Sequence, residues 1–411
     1  MAKDNRIGVL LILENLPFPF VRRAWQEAVA LRDAGYRVHV ISPRGPIFPK
    51  NHEVIEDIDV YRYRVYEASG PLGYPVEYFK ALTSQFYLAL KIFWRHRFRV
   101  VHTWNPPDIM FLNGLLFKFF GARYIYDHLD LNPELYLAKF GKKDFFYKLV
   151  CLVEKCAFRT ADVSLATNQS YRDIAIQRGG KSPDQVFIVR VSPEPDKMKR
   201  LDPVPKLKNG RKFLVVYLGV MGPQDGLDLL IQAIDHIIHQ GRDDIQFTLI
   251  GSGTEAPRLK SLVAEKKLEP WVNFTGRIPR DELAQYLSTA DVGVASDPLN
   301  PMNDKSTMGK VLEYMAFNLP VVQFEVTEGR RSAGEASLYA RPNDPLDFAD
   351  KILQLIDSEE LRHRMGGIGR QRIEQIFNWE IDRQSLLEAY AKALSSSPAQ
   401  PLAKIPLIFM Y

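Results

Sequence analysis

Three clusters of side chains have the types and the spacing to do chemistry. The first is Gly219-Val-Met-Gly-Pro-Gln-Asp-Gly226, between an apolar run that reads as a strand and an amphipathic run that reads as a helix. Gly219, Gly222 and Gly226 allow a tight turn and close backbone approach to a ligand, and amides opening the next helix can hold an anion. The spacing is neither the G-x-G-x-x-G dinucleotide fingerprint nor a P-loop; taken alone, it equally describes a plain strand-to-helix turn. The second cluster runs from Asn303 through Asp304, Ser306, Thr307, Lys310 and Glu313 to Ala316. Ser306 or Thr307 is placed to cap a helix on which Lys310, Glu313 and Tyr314 share a face. There, a lysine near the helix start meets phosphate as a point charge, and a carboxylate one turn further accepts a pair of ribose hydroxyls. The plain reading is a surface Lys–Glu pair worth a few tenths of a kcal/mol. The third cluster is Tyr126-Asp-His-Leu-Asp-Leu-Asn-Pro-Glu134, at a strand end, where Asp127 and Asp130 flank and can orient His128. A capped turn with an incidental histidine is the alternative.

The elements that must position these clusters follow from hydrophobic period. Short apolar runs at 7–13, 37–42, 99–102, 122–127, 163–167 and 186–190 read as strands. Helical stripes at 21–34, 107–120, 144–160 and 168–178 lie between them. Residues 192–210 (SPEPDKMKRLDPVPKLKNG) break the composition with four prolines and many charges, which is a linker. The alternation then restarts, with strands at 213–218, 247–250, 272–274, 292–295 and 320–324. Helices are expected at 226–239, 255–266, 281–289, 308–317 and 344–357, and two more segments, 359–376 and 380–396, close the pattern. This is the rhythm of two doubly wound parallel sheets, which bind ligands at the carboxyl ends of their strands. A cleft between two facing domains is the expected ligand site.

Composition excludes several classes. With 411 residues, 46% hydrophobic and 25% charged, the chain is an ordinary globular sequence and not disordered, collagen-like or disulfide-stapled. Fifty-four Lys and Arg against 49 Asp and Glu leave +5, too little to argue for nucleic acid, for which there is no motif. Cys151 and Cys156, five residues apart in one expected helix, are about 7–8 Å apart along its axis and too far for a disulfide. They read as small core residues of a reducing compartment. No stretch is long and apolar enough to span a membrane; the best, 109–126, is broken by Asn113, Lys118 and Arg123. The apolar 405–411 is only a strand long and has no assigned role. The run Lys91-Ile-Phe-Trp-Arg-His-Arg-Phe-Arg99 interleaves four basic residues with aromatics and no acid, so it fits either an anionic membrane surface or a solvated helix face.

The segments YLGVMGPQDGLDLLIQA, FTGRIP, NDKSTMGKVLEYMA, EGRRSAGEASLYA and YDHLDLNPELY, with RRAWQEAVALRDAGYRVHVISPRG, NPPDIMFL and ADVSLATNQSYRDIA, resemble the retaining GT-B glycosyltransferases of family 4. The resemblance runs in order from about residue 7 to 396. It implies an α/β fold of GT-B type, two facing Rossmann-like domains with an interdomain cleft. The implied divisions are an acceptor-binding domain at 1–198, a nucleotide-sugar-binding domain at 205–380, a helix at 381–396 crossing back to the first domain, and a tail at 397–411. Carried over by position, Glu313 matches the ribose-binding carboxylate, and Lys310 with the Gly219–Gly226 loop matches the diphosphate contacts. Arg277 and Ile278 lie where base and phosphates approach, and Asn303, Asp304, Ser306 and Thr307 where the donor sugar is held. His128 and Asp130 are the implied catalytic residues facing the transferred sugar. Family members need no metal or other cofactor, and transfer proceeds with retention, usually described as a front-face displacement. The sequence departs from many relatives at Lys305, where an acidic residue is common, at Val220 and Asp225, where the glycine loop often carries Arg and Lys, at Leu129, which aligns with the common histidine, and at Val191, which replaces Asn.

The resulting expectation is a hexosyl- or glycosyltransferase moving a sugar from a nucleoside-diphosphate donor to a polysaccharide, lipid-linked or other cell-surface precursor. UDP is favoured over GDP, although no residue selects between them. The expected location is cytoplasmic, or peripheral on the inner face of a membrane. Leu129 and Val191 motivate the alternative of a weak or inactive GT-B protein acting as a binding or scaffold subunit. A metal-dependent GT-A enzyme would use Asp57-Ile-Asp59, which reads better as a strand start. A nicotinamide oxidoreductase would show a glycine fingerprint after the first strand, where Glu14-Asn-Leu-Pro stands instead.

Overall fold

The computed structural model describes residues 6–14, 16–64 and 74–395. The chain divides into two compact units: one takes the chain up to Val191 and resumes at Asp382, and the other is Ser192–Ile381. In the first, the strands are β1 (Gly8–Ile12), β2 (Arg37–Pro43), β3 (His52–Ile55), β4 (Ile58–Tyr63), β5 (Val100–Trp104), β6 (Arg123–His128), β7 (Val163–Ala166) and β8 (Val186–Ile188). They form one sheet of order β3-β4-β2-β1-β5-β6-β7-β8, parallel except for the β3–β4 pair. The helices are α1 (Arg22–Asp33), α2 (Tyr74–His96), α3 (Phe111–Phe119), α4 (Asn132–Phe140), α5 (Phe145–Thr160) and α6 (Gln169–Gln177). β1 is buried at every position, as its unbroken GVLLI run requires for a strand covered on both faces. α1 turns Ala24, Ala28 and Leu31 inward at helical spacing and ends at Gly35, whose φ of 87° suits glycine. Asp144 and Asn168 cap α5 and α6 by accepting the amides of Tyr147 and Tyr171.

The second unit carries β9 (Phe213–Leu218), β10 (Ile245–Ile250), β11 (Val272–Gly276), β12 (Val292–Ala295), β13 (Val321–Phe324) and β14 (Ser337–Ala340). Its sheet has the order β11-β10-β9-β12-β13-β14 and is parallel throughout. Around it lie α7 (Leu227–His239), α8 (Ala256–Glu265), α9 (Arg280–Thr289), α10 (Gly309–Ala316), α11 (Thr327–Ala333), α12 (Pro345–Ile356) and α13 (Glu359–Gln375). α14 (Trp379–Ser395) starts in this unit and from Asp382 belongs to the first, where Leu386, Ala389, Tyr390 and Ala393 are buried.

The first unit ends at Val191, short of the expected 198, because the linker packs on the second unit. Arg370 donates to the carbonyls of Met198 (2.7 Å) and Pro195 (3.2 Å), and the Leu201 amide to Ser288 Oγ (2.9 Å). β3, α4, α11 and β14 were not anticipated as elements, and of α2 only its end, in the 91–99 run, was read as a helix. Asp57 is a left-handed turn residue (φ 62°) paired with Arg6, and Asp59 sits on β4 beside Arg37 and His39, so the Asp57–Asp59 pair opens a strand. Cys151 and Cys156 are free thiols, half-buried and not in the core. The expected 397–411 tail and the 405–411 run lie outside the described residues. Among the described residues no helix is long and apolar enough to cross a membrane.

Candidate functional site

In the second unit the carboxyl ends of β9, β10 and β12 meet around the glycine loop. Gly219 (φ 151°) and Gly226 (φ 63°) occupy backbone conformations that side chains resist. A Cβ on Gly226 would lie 2.2 Å from the Ser296 carbonyl oxygen, and one on Gly251, after β10, would lie 1.8 Å from the Gly219 carbonyl oxygen. The two strand-end loops are therefore pressed backbone to backbone. Gly222 has an ordinary φ and opens the short turn Pro223–Asp225; its amide donates to Asp225 Oδ2 at 3.0 Å.

Lys310, second residue of α10, runs under this loop. Its Nζ lies 3.5 Å from where a Gly219 Cβ would stand, 3.0 and 3.1 Å from the Asp297 carboxylate oxygens, 3.2 Å from Tyr217 Oη and 3.7 Å from Asp225 Oδ1. It also sits 4.6 Å from the Tyr217 ring centroid. Burial works against its charge, but Asp297 and Asp225 outweigh burial and hold it protonated above the usual lysine range. Asp225 is pushed up by burial and by Asp297, against the pull of Lys310. The arrangement is a buried ammonium already held in place at the carboxyl end of a parallel sheet. Tyr314, on the same helix, accepts the Leu218 amide (2.7 Å) and donates to the Val294 carbonyl (3.0 Å), tying the ends of β9 and β12 to α10. Glu313, three residues after Lys310, is half-buried on that side of the helix.

The remaining candidates separate. Asn303 is buried, and its amide group donates to the carbonyls of Gln224 (3.0 Å) and Pro298 (2.9 Å), so its nitrogen braces the glycine loop. Neither Ser306 nor Thr307 caps α10, because the residue before the helix is Met308 and Ser306 Oγ donates back to the Met302 carbonyl (2.8 Å). Asp304 does face open space: it accepts the Thr327 amide (2.8 Å) and lines a 390 Å³ cavity with Leu299, Glu325, Thr327, Arg330 and Arg331. Arg277 is exposed and held by Ser252 Oγ (2.9 Å), while Ile278 packs on the core beside α9 and α10. Asp225, Asp297, Tyr217 and the Arg330–Arg331 pair were missed. Asp297 offers only a lone carboxylate after an apolar run, and its meeting with Lys310, 13 residues on, is made by the sheet.

At the end of β6 in the first unit, His128 and Asp130 part company. His128 is wholly buried, among Phe158 (5.0 Å), Tyr171 (5.3 Å) and Tyr126 (5.6 Å), with Nε2 3.4 Å from Glu154 Oε1. Strand alternation is the reason: Asp127 faces Arg23 of α1, so His128 faces α5 and α6, and the expected position against a sugar is not where its ring lies. Asp130 is exposed in the loop that follows. Asn105 fixes that loop: its Oδ1 accepts the amides of Leu129 (2.6 Å) and Asp130 (3.1 Å), while its Nδ2 donates to Asp108 Oδ1 and to the Asp130 carbonyl (both 2.8 Å). Burial raises the Asp108 carboxyl above its usual range. Among the described residues, Glu27, His102 and Asp127 bring three metal-type ligand atoms within 4.8 Å, but all are buried and Arg23 is bound to both carboxylates. That cluster joins α1, β5 and β6, and His102 Nδ1 bonds Tyr390 Oη of α14 at 2.9 Å.

Two Rossmann-like α/β units in one chain, one with a glycine loop and a buried lysine at its sheet's carboxyl end, match GT-B glycosyltransferase structures. Residues 212–358 match the family described as glycosyl transferases group 1, and residues 21–190 match the glycosyl transferase 4-like domain. The chain belongs to the group 1 glycosyltransferases. A relative in Methanocaldococcus jannaschii, named only as an uncharacterized glycosyltransferase, is 30% identical over 167 residues, 40% of this chain and 44% of that protein. Sucrose-phosphate synthase from Thermosynechococcus elongatus superposes with a TM-score of 0.76 at 21% identity, over 95% of this chain and 100% of that one. Anabaena HepE in complex with UDP-glucose gives 0.72 at 15% identity, over 94% and 100%.

Proposed function

We propose that the chain transfers a sugar from a nucleoside-diphosphate donor, UDP-linked in preference to GDP-linked, to a polysaccharide, lipid-linked or other cell-surface precursor, with retention and without a bound metal. The observation that carries this reading is Lys310 under the glycine loop, fixed by Asp297, Asp225 and Tyr217. Its ammonium and the amides opening α10 stabilise charge on the diphosphate as it leaves. Glu313 accepts the ribose hydroxyls, Gly219, Gly222 and Gly226 admit the phosphates, Arg277 and Ile278 receive the base end, and Asp304 borders the sugar with Thr307 nearby. The bond from the anomeric carbon to the diphosphate oxygen breaks while that carbon bonds the acceptor oxygen on the same face. The acceptor's proton goes to the departing phosphate. Asp130, exposed on a loop held by Asn105, is the acceptor-side residue. The UDP-glucose bound by the HepE neighbour supports a UDP donor. Lys91, Arg95, Arg97 and Arg99 are exposed around exposed Trp94, which supports contact with an anionic membrane; failure to sediment with anionic liposomes at low salt would count against it.

Calorimetric titration with UDP and GDP, with and without EDTA, tests the donor assignment. Micromolar UDP binding that ignores EDTA and disappears in Glu313→Ala is expected; binding that needs a divalent cation would remove metal independence. Burial of His128 favours one second reading, a GT-B protein that binds donor but transfers poorly. Donor binding with neither transfer nor donor hydrolysis would support it.

A further inference from the structure

Segment 74–160 of the first unit carries 13 Lys and Arg against seven Asp and Glu, a net +6 in a chain of net +5, so all other residues together net −1. Four of those seven acids, Asp108, Asp127, Glu134 and Glu154, are buried, and Asp130 is the one exposed acid of the segment, against eleven exposed basic side chains along it. The same segment exposes large apolar groups. On and beside α4 and α5 these are Leu135 (42%), Phe140 (51%), Phe145 (72%), Phe146 (61%), Leu149 (43%) and Leu152 (57%). Between α4, α5 and the loop at Pro106–Ile109 lies a 470 Å³ groove whose walls include Ile109, Leu135, Phe140, Leu149 and Val153, with Lys139 on its rim. Asn132 and Phe140, the two ends of α4, both line it, so it runs about 12 Å along that helix at about 1.5 Å per residue. Its Asn132 end is tied to the acceptor-side loop. Asn132 Nδ2 donates to Asp108 (2.7 Å), and Asn105 bridges Asp108 to the Asp130 carbonyl. Past its Phe140 end the chain continues through the exposed Lys142, Lys143, Phe145 and Phe146.

We infer that this groove holds the hydrocarbon chain of an acceptor whose sugar is joined to the lipid through phosphate. This rests on the transferase reading above and narrows its acceptor. The apolar walls take the chain, Lys139 offsets the phosphate charge, and the polar end presents the sugar at the Asp130 loop. A free glycan would use neither the apolar length nor the excess positive charge.

The test is titration of the full chain with butyl, octyl and dodecyl phosphate, each below its micelle concentration, with UDP titrated in parallel. Affinity is expected to rise about fourfold per added methylene until the groove is full. Leu149→Glu and Phe140→Ser, both at half-exposed positions the fold does not need, should flatten that dependence and leave UDP affinity unchanged. Lys139→Gln should weaken every member by a similar factor. Equal affinity for butyl and dodecyl phosphate, or an unaltered chain-length dependence in Leu149→Glu, overturns the inference. So does a wild-type dimer that dissociates in Leu149→Glu, which would assign the face to a second copy, or liposome binding without monomer binding, which would assign it to the bilayer. UDP binding without chain-length dependence sinks only the groove; absence of UDP binding sinks the donor reading.

Discussion

Lys310 and Asp297 form a buried ion pair, their side chains 8% and 6% exposed, so removing one partner strands the other. Lys310→Met is expected to cost the second unit about 3 kcal/mol in a denaturant titration. It should also weaken UDP by about 2 kcal/mol, roughly thirtyfold, through loss of a charged contact. Adding Asp297→Asn should recover most of the stability and none of the affinity; recovery of both would mean that Lys310 never meets the donor. Glu14, after β1, gives the first unit an expected pH dependence. Burial first, then the charge of Glu77, pushes its carboxyl up to about 7, and its Oε2 is buried without a hydrogen-bond partner. Between about 4.5 and 7 the folded chain therefore holds a proton that the unfolded chain releases, and stability falls as pH rises through that window. Glu14→Gln should raise the melting temperature at pH 8 and leave it unchanged at pH 4. An equal gain at both would refute the titration.

At the scale of elements, the proposed donor site is two strand-end loops packed backbone to backbone, beside the start of α10. Gly226→Ala puts a Cβ 2.2 Å from the Ser296 oxygen at a φ of 63°, and should destabilise the second unit by about 2–3 kcal/mol in thermal unfolding. Gly309, the first residue of α10, meets nothing within 4 Å of its built Cβ, so Gly309→Ala should be stability-neutral or gain up to about 1 kcal/mol. Loss of UDP affinity in that variant, with stability intact, would place phosphate against the amino end of α10. Unchanged affinity would leave the phosphates to Lys310 and the glycine loop.

For the whole molecule, the return of α14 is the consequential feature. From Asp382 it is part of the first unit, where Tyr390 is buried against His102 and Asp382 pairs with Arg190. Tyr390→Phe should cost about 1 kcal/mol, the net worth of one hydrogen bond, in the unfolding of that unit. Deleting residues 382–411 should render the first unit sensitive to protease while leaving UDP titration of the second within twofold of the intact chain. Loss of UDP binding on that deletion would mean that the donor site draws residues from the first unit as well.

Hydrophobic period in the sequence was enough to place most strands and helices, since a short unbroken apolar run such as GVLLI, too short for a helix and followed by a separate amphipathic stretch, fits a strand buried on both faces. Glycine spacing and Lys310–Glu313 put two motifs near the ends of those strands, where the fold brings Lys310 under Gly219, because turn geometry and helical i, i+3 spacing are local. β3, α4 and α11 escaped because short or weakly patterned segments form only on neighbours the chain folds against them. Which way each side chain faces was decided by tertiary structure. Alternation along β6 sends Asp127 to Arg23 and His128 into the aromatic layer, and the sheet carries Asp297 to Lys310. Asn303, by residue type a sugar ligand, spends its amide on two carbonyls. Residue type and local spacing are written in the chain, whereas the partner of a buried polar group depends on contacts between segments far apart in it.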